Sequence, residues 1–330
     1  MKRNLLGCIY TYFLFGLGVV ANAQGEKFKL TGVIENYWLA QGNGHTAGVR
    51  DIANWTSIEG RVSPRLRFVV GEFEIMGRQL LDESFVEIGS DAQQWRVGRF
   101  RSAFGHSDWS ELWYSGFPRQ PLMRSLSLGS GLVLNRLDTG VDWHGGSGAT
   151  QYQVGLIDAR ARSWEPLPMR FNHLVGRVQF YKGSWIVGLN TLLETEQVGT
   201  GQNRVFGLDW RWTAPHIQTR GELFFGRTSK AHASGYYFDI FYHPPKLTRT
   251  TVLARLEASS GTVSGTMFDP YSGTFVTTKQ AGTAQLYTIG IKQILSKYFT
   301  AELSQAWGNG ATPAQGRQGW AFQLMTSLHF

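Results

Sequence analysis

Charged residues in this chain often stand two apart with an apolar or small residue between them. Asp209 and Arg211 flank Trp210, Arg220 and Glu222 flank Gly221, and Arg255 and Glu257 flank Leu256. Side chains two apart point the same way on an extended strand, so these pairs line one face. The chemistry open to them is electrostatic. A guanidinium stays charged and offers forked donors to carboxylate or phosphate oxygens. Covalent chemistry lacks its parts. No Ser sits in a nucleophile motif beside a base. His106, His144, His173, His216, His232 and His243 show no metal-ligand spacing. No Gly-rich phosphate loop precedes a helix. The sequence therefore carries no expectation of a catalytic residue, a cofactor or a metal.

Arg99, Arg136, Arg177, Arg211, Arg220 and Arg255 form a candidate basic ladder facing an aqueous interior. Within a strand, Asp209, Glu222 and Glu257 compete with solutes for three of them. Arg99 and Arg136 flank the longest irregular stretch, Arg101–Gly131, which holds His106, Asp108, Glu111, Arg119 and Arg124. A loop of this kind can fold into a wide bore and narrow it, where low-dielectric walls focus the field. The alternative is an ordinary external loop. The candidate lining and constriction residues are Arg99, Arg101, His106, Asp108, Glu111, Arg119, Arg124, Arg136, Asp138 and Arg177.

Such residues need an enclosure, and the rest of the chain supplies a pattern for one. Segments of about ten residues alternate between apolar and polar faces and are separated by Gly, Asn, Ser, Thr and Pro. Phe206, Leu208, Trp210 and Trp212 share a face opposite Asp209 and Arg211. Trp185, Val187, Leu189, Thr191 and Leu193 share another, opposite Gly188 and Asn190. The chain closes on the same period, with Trp320, Phe322, Leu324, Thr326, Leu328 and Phe330 on one parity. A lone terminal strand exposes an unpaired edge, whereas a closed barrel pairs it with the first strand. Short turns at 181–184, 213–216 and 295–297 alternate with longer connections at 41–54, 101–131, 259–282 and 308–318. The fold expected is an all-β, transmembrane antiparallel barrel of roughly fourteen to sixteen strands. Sixteen fits about nineteen residues per strand and connection, a size that leaves an aqueous lumen.

The first 23 residues read as a secretory signal, with Lys2 and Arg3 ahead of an apolar core and Ala21-Asn22-Ala23 as the cleavage site. The expected division is a signal over 1–23 and one barrel over 24–330. Cys8, the only cysteine, would leave with the signal, which removes disulfide and thiol chemistry from the mature chain. After residue 23 no run approaches the ~18–20 apolar residues of a spanning helix. Twelve Trp, 12 Tyr and 21 Phe suit aromatic belts at two interfaces. Without Lys2 and Arg3 the chain holds 30 Lys and Arg against 24 Asp and Glu, a formal +6. No basic run accompanies this excess, so anionic lipid headgroups and anionic solutes are favoured over nucleic acid.

Several local patterns stand in a familiar order. Glu83–Ile88, then Trp95–Arg101 with Phe104-Gly105, resembles the paired strands and VGQFK-x-PF stretch of one family, the phosphate-selective porins O and P of bacterial outer membranes. Arg136–Asp142 and Tyr152–Asp158 resemble its R-D-x-G strand and the partner Y-x-x-G-x-x-N-G. Gly176–Phe180, Gly235-Tyr236-Tyr237 and Gly290–Leu295 follow in family order. The ending on Phe330 resembles the signal read by the barrel-assembly machinery. The resemblance implies a sixteen-stranded barrel, commonly trimeric, in the outer membrane of a Gram-negative-type bacterium, amid lipid and lipopolysaccharide. It implies a water-filled channel for passive diffusion of small anionic or polar solutes, and no enzyme. The family's lysine-rich lumen is not matched: eight Lys follow residue 23, unclustered, and Asp138 and Asp142 add acid. Phosphate selectivity is therefore not carried over. The competing expectation is a narrower barrel whose external loops bind a ligand or a surface polysaccharide, with Phe268, Tyr271 and Phe275 at hand.

Overall fold

A computed structural model describes residues 29–42, 47–75, 78–90, 92–101, 103–105, 117, 121, 127–128, 132–133, 137–158, 171–195, 204–227, 232–269, 274–310 and 318–329. The strands are β1 (Lys29–Gly42), β2 (Ala47–Ser63), β3 (Leu66–Ile75), β4 (Arg78–Ser90), β5 (Gln93–Arg101), β6 (Ser127–Leu128), β7 (Leu132–Val133), β8 (Leu137–Ser147) and β9 (Thr150–Asp158). They continue as β10 (His173–Lys182), β11 (Trp185–Glu194), β12 (Arg204–Thr213), β13 (Ile217–Arg227), β14 (His232–Tyr242), β15 (Thr250–Asp269), β16 (Thr274–Ile294), β17 (Phe299–Gly310) and β18 (Gly319–His329). Among the described residues, sixteen of these form one closed antiparallel barrel, and β6 and β7 pair separately. Each barrel strand hydrogen-bonds to its sequence neighbour, with β8 following β5. The seam is β1 against β18, from Val33 opposite His329 to Gly42 opposite Trp320. Phe330 and residues 1–28 lie outside the described residues.

The connections fall into two sets. At one rim they are short, at 64–65, 91–92, 148–149, 183–184, 214–216, 243–249 and 295–298, and there β1 begins and β18 ends. Gly148 and Gly183 take φ of 58° and 57°, the left-handed conformation a two-residue hairpin needs. The opposite rim carries the 102–136 connection. Two expected loops prove to be strand. The stretch 41–54 reduces to a connection at 43–46, and 259–282 is a hairpin in which β15 and β16 stay paired out to Asp269 opposite Thr274. Val263, Thr266, Thr274, Val276, Thr277 and Thr278 explain this, since β-branched residues favour extended backbone and need no apolar face to pair.

Alternation sorts the two faces. Val86, Val97, Leu156, Leu189, Leu208, Ile289 and Leu303 are exposed on the outside, while Glu87, Asp142, Asp209, Asp239, Glu257 and Glu302 are buried inside. Aromatics gather towards both rims. Trp95, Trp143 and Tyr152 touch near the short turns, with ring centroids 6.4 and 4.6 Å apart, and Trp185 meets Trp212 at 5.9 Å. Phe206 and Phe225 stack at 5.9 Å towards the other rim, where Trp307 and Trp320 also face outward. This is an inside-out arrangement, apolar towards lipid and polar within. Leu208→Arg, at the middle of β12's outer face, should cost about 2–4 kcal/mol in urea unfolding from lipid vesicles. Gln218→Arg, facing inward, should cost well under 1 kcal/mol on the same scale; equal costs would contradict the assignment of faces.

Candidate functional site

The inner wall is built of ion pairs that run across strands. On one side, Arg67 forks onto Glu87 with Nε to Oε1 and Nη2 to Oε2 both 3.0 Å, and reaches Glu59 at 3.3 Å. Arg96 donates through Nε to Asp142 at 3.0 Å, and Gln153 donates to the same carboxylate at 2.7 Å. His144 sits between acids, with Nδ1 3.0 Å from Asp142 and Nε2 3.4 Å from Glu87. On the far wall, Asp239 is completely buried and takes Arg220 at 3.0 Å and a fork from Arg255 at 2.6 and 2.9 Å. A buried carboxylate without such donors would be strongly destabilising. Arg67–Glu87, Arg96–Asp142, Arg220–Asp239 and Arg255–Asp239 each join directly opposed positions on adjacent strands, where side chains come close.

One network ties the wall to the 102–136 connection. Arg177 donates to Asp209 at 2.7 Å, Asn190 Nδ2 donates to Asp209 at 2.8 Å, and Asn190 Oδ1 accepts from the Gly105 N–H at 2.8 Å. Gly188 makes the link possible. It stands opposite Asp209, and a Cβ on it would lie 2.2 Å from an Asp209 oxygen. Phe104 is buried beside this anchor in a cluster with Ile157, Val175, Leu192, Val205 and Phe224. Those five face inward from β9 to β13, so the wall offers the loop an apolar seat. Further along, Phe117 is buried against Phe241 and Leu253, edge-on to Phe241 at 5.8 Å, with the Arg255 guanidinium 4.1 Å over its ring. β11 stands four strands round from β5, and β14 seven; in a sixteen-stranded barrel, eight is diametrically opposite. Gly105 and Phe117 of this connection thus sit against well-separated parts of the inner wall. Burying Phe104 and Phe117 favours this by about 1.5–3 kcal/mol each.

Of the sequence-derived candidates, Arg177 and Asp138 stand on the inner face, Asp138 opposite Phe100. Arg99 requires a correction. It opposes Ser84 and Thr139 and shares parity with Trp95 and Val97, so it belongs to the outer row. The inward guanidinium of this strand is Arg96. Arg101 shares the outer parity and is buried, its N–H donating to Glu83 at 3.3 Å. His106, Asp108, Glu111, Arg119, Arg124 and Arg136 lie outside the described residues. Arg211, Arg220 and Arg255 face inward as members of the ladder. Sequence reasoning missed Phe117, Asn190 and the Glu87–His144–Asp142 group. Parity against Trp95, Val97 and Trp143 marks Arg96, Asp142 and His144, whereas nothing periodic marks Phe117. Among the described residues, no group of three or more His, Cys, Asp or Glu is placed to hold a metal ion.

A closed barrel of this strand number, with a long connection turned into its bore, has the fold of the outer-membrane porins. Solved structures it matches include OmpF of Salmonella typhi in complex with daunomycin, at a TM-score of 0.63 and 8% identity over 93% of this chain and 98% of that one. An anion-selective porin from Comamonas acidovorans matches at 0.60 and 12% identity over 92% and 98%. In-vitro folded OmpT of Vibrio cholerae, an outer membrane protein in its trimer form, matches at 0.58 and 10% identity over 92% and 99%. No protein-family model matches the chain, and no curated protein matches it in sequence. At these identities the likeness is one of fold.

The loop anchor is directly testable. Asn190→Ala removes the acceptor of the Gly105 N–H and a donor to Asp209. Amide exchange at residues 103–105 should then quicken about tenfold, the loss of roughly one hydrogen bond, with β14 and β15 unaffected. Unchanged exchange at Gly105 would show that the bond does not hold the loop.

Proposed function

We propose that this chain is an outer-membrane porin, a water-filled channel through which small polar solutes diffuse passively, narrowed by the 102–136 connection. The observation that carries the reading is the seating of Gly105 on β11 and Phe117 on β14 and β15, inside a barrel whose inner wall is charged. Passage through such a bore needs no chemistry; its width and lining charge set the selectivity. Of the two solute classes the sequence suggested, polar solutes are favoured over anionic ones. The inward arginines Arg67, Arg96, Arg177, Arg220 and Arg255 are each engaged by a carboxylate, which lowers the positive field that a solute meets.

The ordered motifs remain the ground for relating the chain to the phosphate-selective O and P porins, without their selectivity. Export through cleavage after Ala23, location in the outer membrane of a Gram-negative-type bacterium, and recognition of Phe330 by the assembly machinery belong to the same proposal. So does a homotrimer, the form named for the Vibrio cholerae OmpT structure. No catalytic role is proposed.

Planar-bilayer recording tests the reading. The refolded protein should give discrete open steps, with a reversal potential near zero in a potassium chloride gradient. Deleting residues 107–115 should raise the step size. Absence of steps would overturn the channel, strong ion selectivity the paired lining, and an unchanged step size the constriction.

A further inference from the structure

Near the short-turn rim the inner wall has a hollow that the ion-pair network does not fill. It is a cleft of about 400 Å³ among Gln94, His144, Gln151, Gln153, Arg177 and Gln179. The register accounts for it. Gly146 opposes Gln151, Gln151 opposes Gln179, and Gln179 opposes Gly188, so two glutamines stand in one row between two glycines. The next row towards the middle of the barrel carries Gln94, His144, Gln153 and Arg177. Gly145, Gly146 and Gly148 line the cleft without side chains of their own, whereas the space over Gly188 is taken by Asp209.

The hydrogen bonds already made show what the cleft still offers. Tyr181 donates its hydroxyl to Gln151 Oε1 at 2.6 Å and lies 3.4 Å from Gln179 Oε1. One hydroxyl proton serves one acceptor, so Gln151 is the amide held at its oxygen, with Gln179 beside it. Gln94 Oε1 is taken by His144 at 2.8 Å, which orients a second NH₂. Gln153 donates to Asp142 and keeps its carbonyl oxygen as an acceptor. Three of the four amides are thus fixed by neighbours, each with one end open. The groups of the lining that can carry charge, Arg177 and His144, are engaged from behind: Arg177 by Asp209, and His144 by Asp142 and Glu87. The amides are what the cleft leaves open.

We infer that this cleft is a binding subsite for a neutral, hydroxyl-rich solute of the size of a mono- or disaccharide, on the path of the proposed channel. A ring hydroxyl both donates and accepts, which matches oriented amide NH₂ groups beside an amide carbonyl. The cleft's volume lies within the ~300–1,000 Å³ of small-molecule sites. Accessible amides along a wet wall give weak, quickly reversible contact. A subsite on a diffusion path requires this, because a solute must leave as readily as it enters. The inference rests on the porin reading for its place in transport, and on the cleft alone for binding.

The test therefore separates the two. Saturation-transfer NMR on the detergent-folded protein, with sucrose as probe and glycine betaine as a polar control, reads binding. Single-channel recording with sucrose on the short-turn side reads passage. Sucrose should bind in the millimolar range and briefly interrupt the open current, and glycine betaine should do neither. Gln151→Leu with Gln179→Leu should weaken sucrose binding about tenfold, as expected for the loss of two modest hydrogen bonds. Tyr181→Phe keeps the ring but frees the Gln151 amide, and should weaken binding several-fold. It guards against a double variant that fails to fold. Sucrose binding without open steps would overturn the channel and keep the subsite. Open steps without sucrose binding, equal binding of glycine betaine, or binding untouched by Tyr181→Phe would each overturn the subsite.

Discussion

The backbone hydrogen bond across the β1–β18 seam is the constraint from which the rest of this structure follows. In hydrocarbon, an unpaired N–H or C=O costs several kcal/mol because no water replaces the lost partner. An open sheet of these strands would leave two rows of such groups. Pairing Val33–Gly42 with His329–Trp320 removes both rows at once. Closure in turn dictates the sequence pattern. Every strand has one face towards lipid and one towards the lumen, so every strand must alternate, and one misplaced residue exposes a charge to lipid.

Closure also creates the interior in which the polar residues act. A buried carboxylate such as Asp209 or Asp239 is tolerable because arginines from other strands reach it. The same carboxylates organise what lies above them. Asp209 orients Asn190, which holds Gly105, while Arg255 lies on the Phe117 ring as it forks onto Asp239. Wall and loop are one network. The apolar inward patch of Ile157, Val175, Leu192, Val205 and Phe224 completes it. Facing water, that patch would be unfavourable; facing Phe104, it is a binding surface for the chain's own loop.

Much of the barrel was legible because period-two alternation is a local property. Trp210 between Asp209 and Arg211 states its orientation without any knowledge of β13. The closed ring, a strand number of roughly fourteen to sixteen and the outward faces of β11, β12 and β18 follow in this way. Strand ends were less legible. Val263, Thr266 and Val276 lie in stretches of small polar residues that resemble loop, and only the partner strand shows that β15 and β16 extend. The site was legible in type but not in partnership. An inward arginine is visible from parity, but its carboxylate comes from another strand through a register the sequence does not print. Arg99 shows the limit on a single strand, where Trp95 and Val97 already set the parity that makes Arg96 the inward residue. Phe117 had no local mark, since its partners Phe241 and Leu253 lie more than a hundred residues away.

The seam itself can be measured. Ala40 and Phe322 oppose each other on β1 and β18, within the ~4.5–5.5 Å Cβ separation of directly opposed strand positions. In a Cys8→Ser background, cysteines placed at both positions should form an intramolecular disulfide in the membrane-inserted protein. The yield should match that of a control pair at Val178 and Leu189, opposed on β10 and β11. A control pair that closes while the 40–322 pair stays reduced would mean the barrel is open at β1 and β18, and the account of closure would fail.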